Sequence, residues 1–268
     1  MIEFQQISKK WPDGTLALSD VNVSIPKGQF CVILGPSGAG KSTLLRTVNG
    51  LTQTTGGRIN IDGTELTAAT ARTLRQRVAM IHQHFNLTLR MSVAANVLAG
   101  LLPVVSTGRA ILGWFEPAHR AKACALLARV GLDPKHLLRR AGELSGGQQQ
   151  RVGVARAFML DPEVVLADEP VASLDPKISR EILSLIRDAA RERNATVLCS
   201  LHQVDLAREF GDRIVGMRDG KIVFDGTPAE FTDERMEALY QGAQWEDNAV
   251  AEAADLYNDA LQPQLVAA

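Results

Sequence analysis

The stretch Phe30-Cys-Val-Ile-Leu-Gly35-Pro-Ser-Gly-Ala-Gly40-Lys41-Ser42-Thr43 decides how this chain reads. Its first five residues are a continuous apolar run, the pattern of a strand covered on both faces. A turn with three glycines follows, and Lys41 to Val48 then reads as a helix. Strand, glycine-rich turn and helix in that order fit the G-x-x-x-x-G-K-[ST] phosphate loop. Glycines let successive backbone N–H groups wrap a polyphosphate, and a helix N-terminus favours negative charge. The expected nucleotide contacts are therefore Gly35, Pro36, Ser37, Gly38, Ala39, Gly40, Lys41, Ser42 and Thr43. Lys41 is suited to reach the β- and γ-phosphates and the Ser42 hydroxyl to ligate Mg²⁺. A glycine-rich turn that merely starts a helix is the alternative.

Outward from this loop, Glu3 to Ser8 and Val21 to Ile25 alternate apolar and polar residues as half-exposed strands do, around a turn at Pro12-Asp13-Gly14. Arg58 to Gly63 reads as a strand and turn, and Val78 to Ile81 as another buried strand. From about Phe85 to Met159 the pattern is helical, with Ala121 to Val130 ending at the capping Gly131. Pro103 to Pro117, with Gly108, Gly113, Trp114 and Phe115, reads as an irregular insertion. Val164–Ala167, Ile178–Arg193, Ala195–Ser200, Val204–Phe210 and Ile214–Met217 then alternate strand with helix, which implies a mostly parallel α/β sheet. Thr227-Pro-Ala-Glu230 is a capping box with proline at the first helical position, so a late helix is expected to start there.

Two further segments carry chemistry. Val164-Val-Leu-Ala-Asp168-Glu169 delivers adjacent carboxylates at a strand end, where open α/β sheets bind ligands. Asp168 suits the Mg²⁺ shell and Glu169 suits proton abstraction from water; a solvated turn is the alternative. Leu144-Ser145-Gly146-Gly147-Gln148 opens a second helix, so a hydroxyl, backbone N–H groups and a helix dipole meet at another anion site. One ATP does not easily fill both sites, which points to ATP shared across a dimer.

Gly35–Thr43, Gln83, Leu144–Gln148, Val164–Glu169, Ser173-Leu174-Asp175 and His202 resemble, in order and rough spacing, the motifs of the ATP-binding-cassette ATPases, over about residues 1–240. The resemblance implies a RecA-like core with an antiparallel β subdomain and an α-helical lobe, here about residues 85–160, that carries the Ser145–Gln148 signature. It further implies a head-to-tail homodimer with each ATP between one chain's phosphate loop and the other's signature. By the same resemblance Gln83 touches Mg²⁺ and the attacking water, His202 contacts the γ-phosphate, and Asp175 reaches the partner site. Trp11 would lie under adenine, where Tyr is the commoner residue. Alternatives at these positions are a surface glutamine, a loop histidine, a helix N-cap before Pro176 and a surface tryptophan.

Ala167–Pro176, Gln83–Leu87, Asn96–Gly100, Gly216–Gly220 and Ile222–Gly226 resemble the phosphonate-import ATP-binding subunits, and importers of phosphate, phosphite and polar amino acids share parts of them. That resemblance implies ATP hydrolysis coupled to import at the cytoplasmic face of the inner membrane, with two integral-membrane permease subunits and, indirectly, an extracytoplasmic substrate-binding protein. A groove beside Gln83 is expected to grip a short helix of each permease subunit, with Phe85, Leu87, Trp114 and Phe115 as candidate lining; core of the helical lobe is the alternative. The rival classes are a non-transport cassette clamp and a binding-only module.

Composition fits this reading. The 268 residues are 46% hydrophobic and 22% charged, a globular balance. The net charge of −1 argues against a dedicated nucleic-acid binder. Cys31, Cys124 and Cys199 lie far apart in apolar runs and read as three buried thiols. The longest apolar stretch, roughly Val93 to Val105, is too short to span a membrane. Residues 1–242 read as the ATPase domain and 243–268 as an acidic tail holding Glu246, Asp247, Glu252, Asp255 and Asp259; without those five acids the total of −1 becomes +4. The tail's alternatives are a solvated end and a short amphipathic contact helix.

Overall fold

The computed structural model describes residues 1–241, so the acidic segment and its amphipathic reading lie outside the described residues. The expected strand is β3, Phe30–Leu34, after β1 (Ile2–Lys10) and β2 (Leu16–Ile25), and all five of its residues are buried. Successive strand side chains point to opposite faces. Phe30, Val32 and Leu34 therefore join one apolar core while Cys31 and Ile33 join another.

β3 lies inside a six-stranded sheet of order β10-β9-β3-β8-β7-β6. Its other members are β6 (Val78–Ile81), β7 (Val164–Asp168), β8 (Thr196–Ser200), β9 (Arg213–Arg218) and β10 (Lys221–Gly226). Pairings are parallel except β9 with β10. A second sheet of four strands, β2-β1-β4-β5, is antiparallel, with β4 at Gly56–Ile61 and β5 at Thr64–Glu65. It shares the Cys31–Ile33 core with α1 (Lys41–Val48), which contributes Leu44, Leu45 and Val48.

The opposite core is helical. After α2 (Ala71–Arg77) come α3 (Val93–Leu98), α4 (Thr107–Ile111), α5 (Pro117–Arg129) and α6 (Gly146–Ala157). α3, α5 and α6 bury Val97, Leu127 and Val152 against one another. α7 (Pro176–Arg191) turns Ile182, Leu183 and Ile186 inward, and α8 (Val204–Phe210) buries Leu206 and Phe210. The chain closes with α9, Asp233–Tyr240.

Four expectations change. β6 is the sheet's edge, so only Val78 and Ile81 of its four residues are buried. The insertion is not wholly irregular, since α4 forms inside it. The capping box at Thr227 and Glu230 forms, yet it starts only a single 3₁₀ turn, Pro228–Glu230. The chain bends there because Phe231 must enter the core, where its ring meets Phe224 at 5.0 Å; α9 then starts anew after Thr232. Cys31 and Cys199 are buried but Cys124 is exposed on the outer face of α5. Burial pushes the Cys31 thiol up to about 12 and that of Cys199 further.

Candidate nucleotide site

The C-terminal ends of β3, β8 and β7 converge, and each delivers part of one cluster. From β3 the chain enters the loop at Gly35, whose φ is +150°; a Cβ there would stand 2.1 Å from the Met217 carbonyl oxygen. At Gly40, the residue before α1, φ is +98° and a Cβ would stand 2.4 Å from the Ala17 carbonyl. Only glycine fits either position. Pro36, Ser37, Gly38 and Ala39 form the turn between them, with the Ala39 N–H bonded to the Pro36 carbonyl at 3.2 Å. Lys41 is buried at the helix start, and its Nζ donates to the carbonyls of Gly35 at 2.7 Å and Pro36 at 3.0 Å. Burial lowers the pKa of this amine, against the pull of the Glu169 and Asp168 carboxylates. Thr43 stands half-buried in the first turn of α1.

From the same helix, Ser42 Oγ donates to Asp168 Oδ1 at 2.7 Å, and Arg46 one turn later donates to Asp168 Oδ2 at 3.2 Å. Asp168 ends β7. At Glu169 the chain leaves the strand with φ +48°, a left-handed conformation that a side chain adopts at a cost of about 1–2 kcal/mol. Its N–H donates to Ser200 Oγ at 3.0 Å, and that hydroxyl donates to Asp168 Oδ1 at 3.1 Å. His202 follows β8, with Nε2 2.6 Å from Glu169 Oε1. This hydrogen bond is the first cause holding the Glu169 carboxyl below its ordinary 4.5; burial opposes it, and the charges of His202 and Lys41 add to it. An ionised carboxylate only accepts, so Nε2 carries the proton.

The structure thus brings Lys41, Ser42, Asp168, Glu169 and His202 together. Gln83 is exposed on the segment after β6, and Trp11 is exposed at the end of β1 with the Lys9 amine 4.5 Å from its ring. The Ser145–Gln148 segment makes its contacts elsewhere, with Leu174, Phe85 and Ile178. Ser145 caps α6, accepting from the Gln148 N–H at 3.4 Å while the Gln148 side chain accepts the Ser145 N–H at 3.1 Å. Gly146 faces Leu174 and Phe85, and Gly147 faces Ile178. Asp175 caps α7, accepting from the N–H groups of Lys177 and Ile178 at 3.1 and 3.0 Å.

Three participants escaped the sequence reading. Arg46 lies four residues after Ser42 on α1, a spacing that places both on one helix face. Ser200 is register partner to Asp168, and only the β7–β8 pairing reveals it. Arg156 of α6 donates to the Phe85 and Asn86 carbonyls at 2.9 and 2.6 Å, tying the helical lobe to the segment after Gln83.

A groove of about 480 Å³ runs beside that segment, lined by His82, Asn86, Ala99, Leu102, Pro103 and Arg156 among others. The proposed apolar lining is corrected here. Leu87 and Phe115 pack against the helical core, Phe85 faces α6, and Trp114 projects outward at 66% exposure beside Ile111 and Leu112.

The donor set suits a magnesium nucleotide. Ser42 and Asp168 offer hard oxygens, which Mg²⁺ prefers, and Mg²⁺ is commonly held through one or two carboxylates and the nucleotide's own phosphates. Among the described residues no cluster of three His, Cys, Asp or Glu side chains forms an all-protein metal cage.

Comparison with known proteins agrees. The chain is 49% identical over 241 residues to the phosphonates import ATP-binding protein PhnC of Hydrogenovibrio crunogenus, covering 90% of this chain and 89% of that one. It is 48% identical over 256 residues to the protein of the same name from Thiobacillus denitrificans, covering 96% and 98%. The dimeric post-hydrolysis structure of the ATP-binding cassette MJ0796 bound to ADP and Pi superposes with a TM-score of 0.75 at 30% identity, covering 85% of this chain and 99% of that one. Residues 18–172 match the family model described as ABC transporter. With its glycine loop, helical lobe and paired carboxylates in this order, the chain belongs to the ABC transporter family.

Proposed function

We propose that this chain is the ATP-hydrolysing subunit of a binding-protein-dependent importer, with phosphonate or a related oxyanion such as phosphite or phosphate as cargo. The observation that carries the enzymatic part is the 2.6 Å contact between Glu169 and His202 beside the Ser42–Asp168 bond. It is an ionised base with its orienting partner at the mouth of a phosphate loop. In this reading Lys41 and the loop amides hold the phosphates of ATP, and Trp11 stacks on adenine. Glu169 takes the proton of the attacking water while His202 and Gln83 orient it. Ser42, Asp168 and Gln83 hold Mg²⁺, which supplies charge neutralisation at the β- and γ-phosphates.

ABC cassettes work as dimers with membrane permease subunits. Here the exposed Ser145 and Gly146 at the start of α6 support a head-to-tail homodimer in which Ser145, Gly146, Gly147, Gln148 and Asp175 of one chain meet the ATP of the other. The groove beside His82 receives a short helix from each of two permease subunits at the cytoplasmic face of the membrane. Among the described residues no helix is long and apolar enough to cross a membrane. The cargo assignment is supported by the names of relatives 48–49% identical over nine-tenths or more of this chain.

Glu169→Gln keeps the side-chain shape and removes the base, so steady-state hydrolysis should nearly vanish while ATP-bound dimers accumulate. Turnover near wild type would overturn the enzymatic reading. Uptake of labelled methylphosphonate, phosphite, phosphate and glutamine into proteoliposomes holding the chain, both permease subunits and the binding protein tests the cargo. Accumulation of glutamine alone would overturn it.

A further inference from the structure

Ser200 belongs to neither the phosphate loop nor the carboxylate pair, yet its hydroxyl touches both carboxylate residues. It ends β8, the strand between β3 and β7, and is fully buried. Register pairs it with Asp168. Had β7 continued, the Glu169 N–H could have joined the sheet ladder, but the chain turns away there with φ +48° and the donor needs another acceptor. Ser200 Oγ is that acceptor at 3.0 Å. Its own proton goes to Asp168 Oδ1 at 3.1 Å, the oxygen that Ser42 Oγ also meets at 2.7 Å. A hydroxyl has one donor and two acceptor lone pairs, so one small group satisfies both neighbours at once.

We propose that Ser200 is a positioning residue for water activation, holding the Glu169 backbone so that its carboxylate meets His202, and fixing the edge of Asp168 that faces Ser42. The inference rests on the reading of Glu169 as the base. An aliphatic side chain at this position leaves the part-buried Glu169 N–H without its acceptor, and releases the turn that aims the carboxylate. Placement errors of about 1 Å cost on the order of a hundredfold in rate, whereas the phosphate loop itself keeps its contacts.

The test uses the full-length chain with Mg-ATP. Thr and Val have the same shape and differ in the hydroxyl, so Ser200→Thr and Ser200→Val are compared with Ser200→Ala, with unfolding by urea measured on each. The expected result is a fall in kcat of about tenfold to a hundredfold in the Val and Ala variants, KM for ATP within about twofold, and recovery by Thr to within about threefold. Hydrogen exchange of the Glu169 amide should accelerate in Val and Ala and stay slow in Thr, a readout independent of turnover. Ser200→Ala placed on Glu169→Gln should lower residual turnover no further, because both act through one group. Equal kcat in the Thr and Val variants, a change confined to KM, or an unchanged Glu169 amide would overturn the proposal. Retained turnover in Glu169→Gln alone would instead overturn the base assignment, so the two failures are separable.

Discussion

Replacing His202 with alanine separates what its contact with Glu169 does for folding from what it does for turnover. The imidazole side chain is 42% exposed and the carboxylate 15%. A pair open to water on one side contributes about 0.2–1 kcal/mol to stability. The unfolding free energy at neutral pH should therefore fall by less than about 1 kcal/mol. Turnover obeys a different scale, because a base misplaced by about 1 Å costs on the order of a hundredfold in rate. A loss of at least a hundredfold in kcat is expected, about 2.7 kcal/mol of barrier. Acidification gives a second, signed test. His202 holds the Glu169 carboxyl below its ordinary 4.5, so the pair's stabilisation is present above that value and disappears as pH falls through the lower folded one. The stability gap between wild type and His202→Ala should thus close on going from pH 7 to below 4.5. Urea unfolding across that range and ATPase assays at pH 7 measure both. Turnover within threefold of wild type, or a stability gap that widens in acid, would refute the reasoning.

The remaining predictions concern the two ends of the shared site. Gly35→Ala would put a Cβ 2.1 Å from the Met217 carbonyl, so it should destabilise the chain by about 2–4 kcal/mol and weaken ATP binding, as read by thermal unfolding and nucleotide titration. An unshifted melting curve would contradict the close approach. Ser145→Arg removes the cap of α6, about 1 kcal/mol, and places bulk at its exposed end. ATP-dependent dimerisation measured by light scattering should be lost while single-chain ATP binding persists; unchanged dimerisation would exclude the head-to-tail arrangement.

Legibility followed the range of the forces involved. Phe30–Leu34, Lys41–Val48 and Val204–Phe210 have the boundaries expected from their patterns, because apolar runs and flanking glycines act locally. Lys41, Ser42, Asp168 and Glu169 stand out as candidates from their motifs, since phosphate and proton chemistry permit few substitutes, whereas His202 is singled out only by the family resemblance. Their mutual distances were not, because they depend on which strands become neighbours. Ser200 illustrates this: nothing local distinguishes it from any other strand-end serine until β8 pairs with β7. The turn at Thr227 carried a correct cap and a wrong extent, since burial of Phe231 outweighed local helix propensity. Trp114, a candidate for the groove lining or for the core of the helical lobe, is 66% exposed and is not among the residues lining the groove beside His82, because aromatic composition does not say which way a short insertion faces.

The strand order carries a consequence for biosynthesis. β3 and β7 are not adjacent; β8, made last of the three, fills the place between them. A nascent chain that has not yet released Thr196–Ser200 therefore holds its phosphate loop and its carboxylates on two sheet fragments with no shared edge. Lys41 and Ser42 follow β3, and Asp168 and Glu169 end β7, so the two halves of the cluster meet only once Thr196–Ser200, the last of the three strands to be synthesised, has taken its place between them.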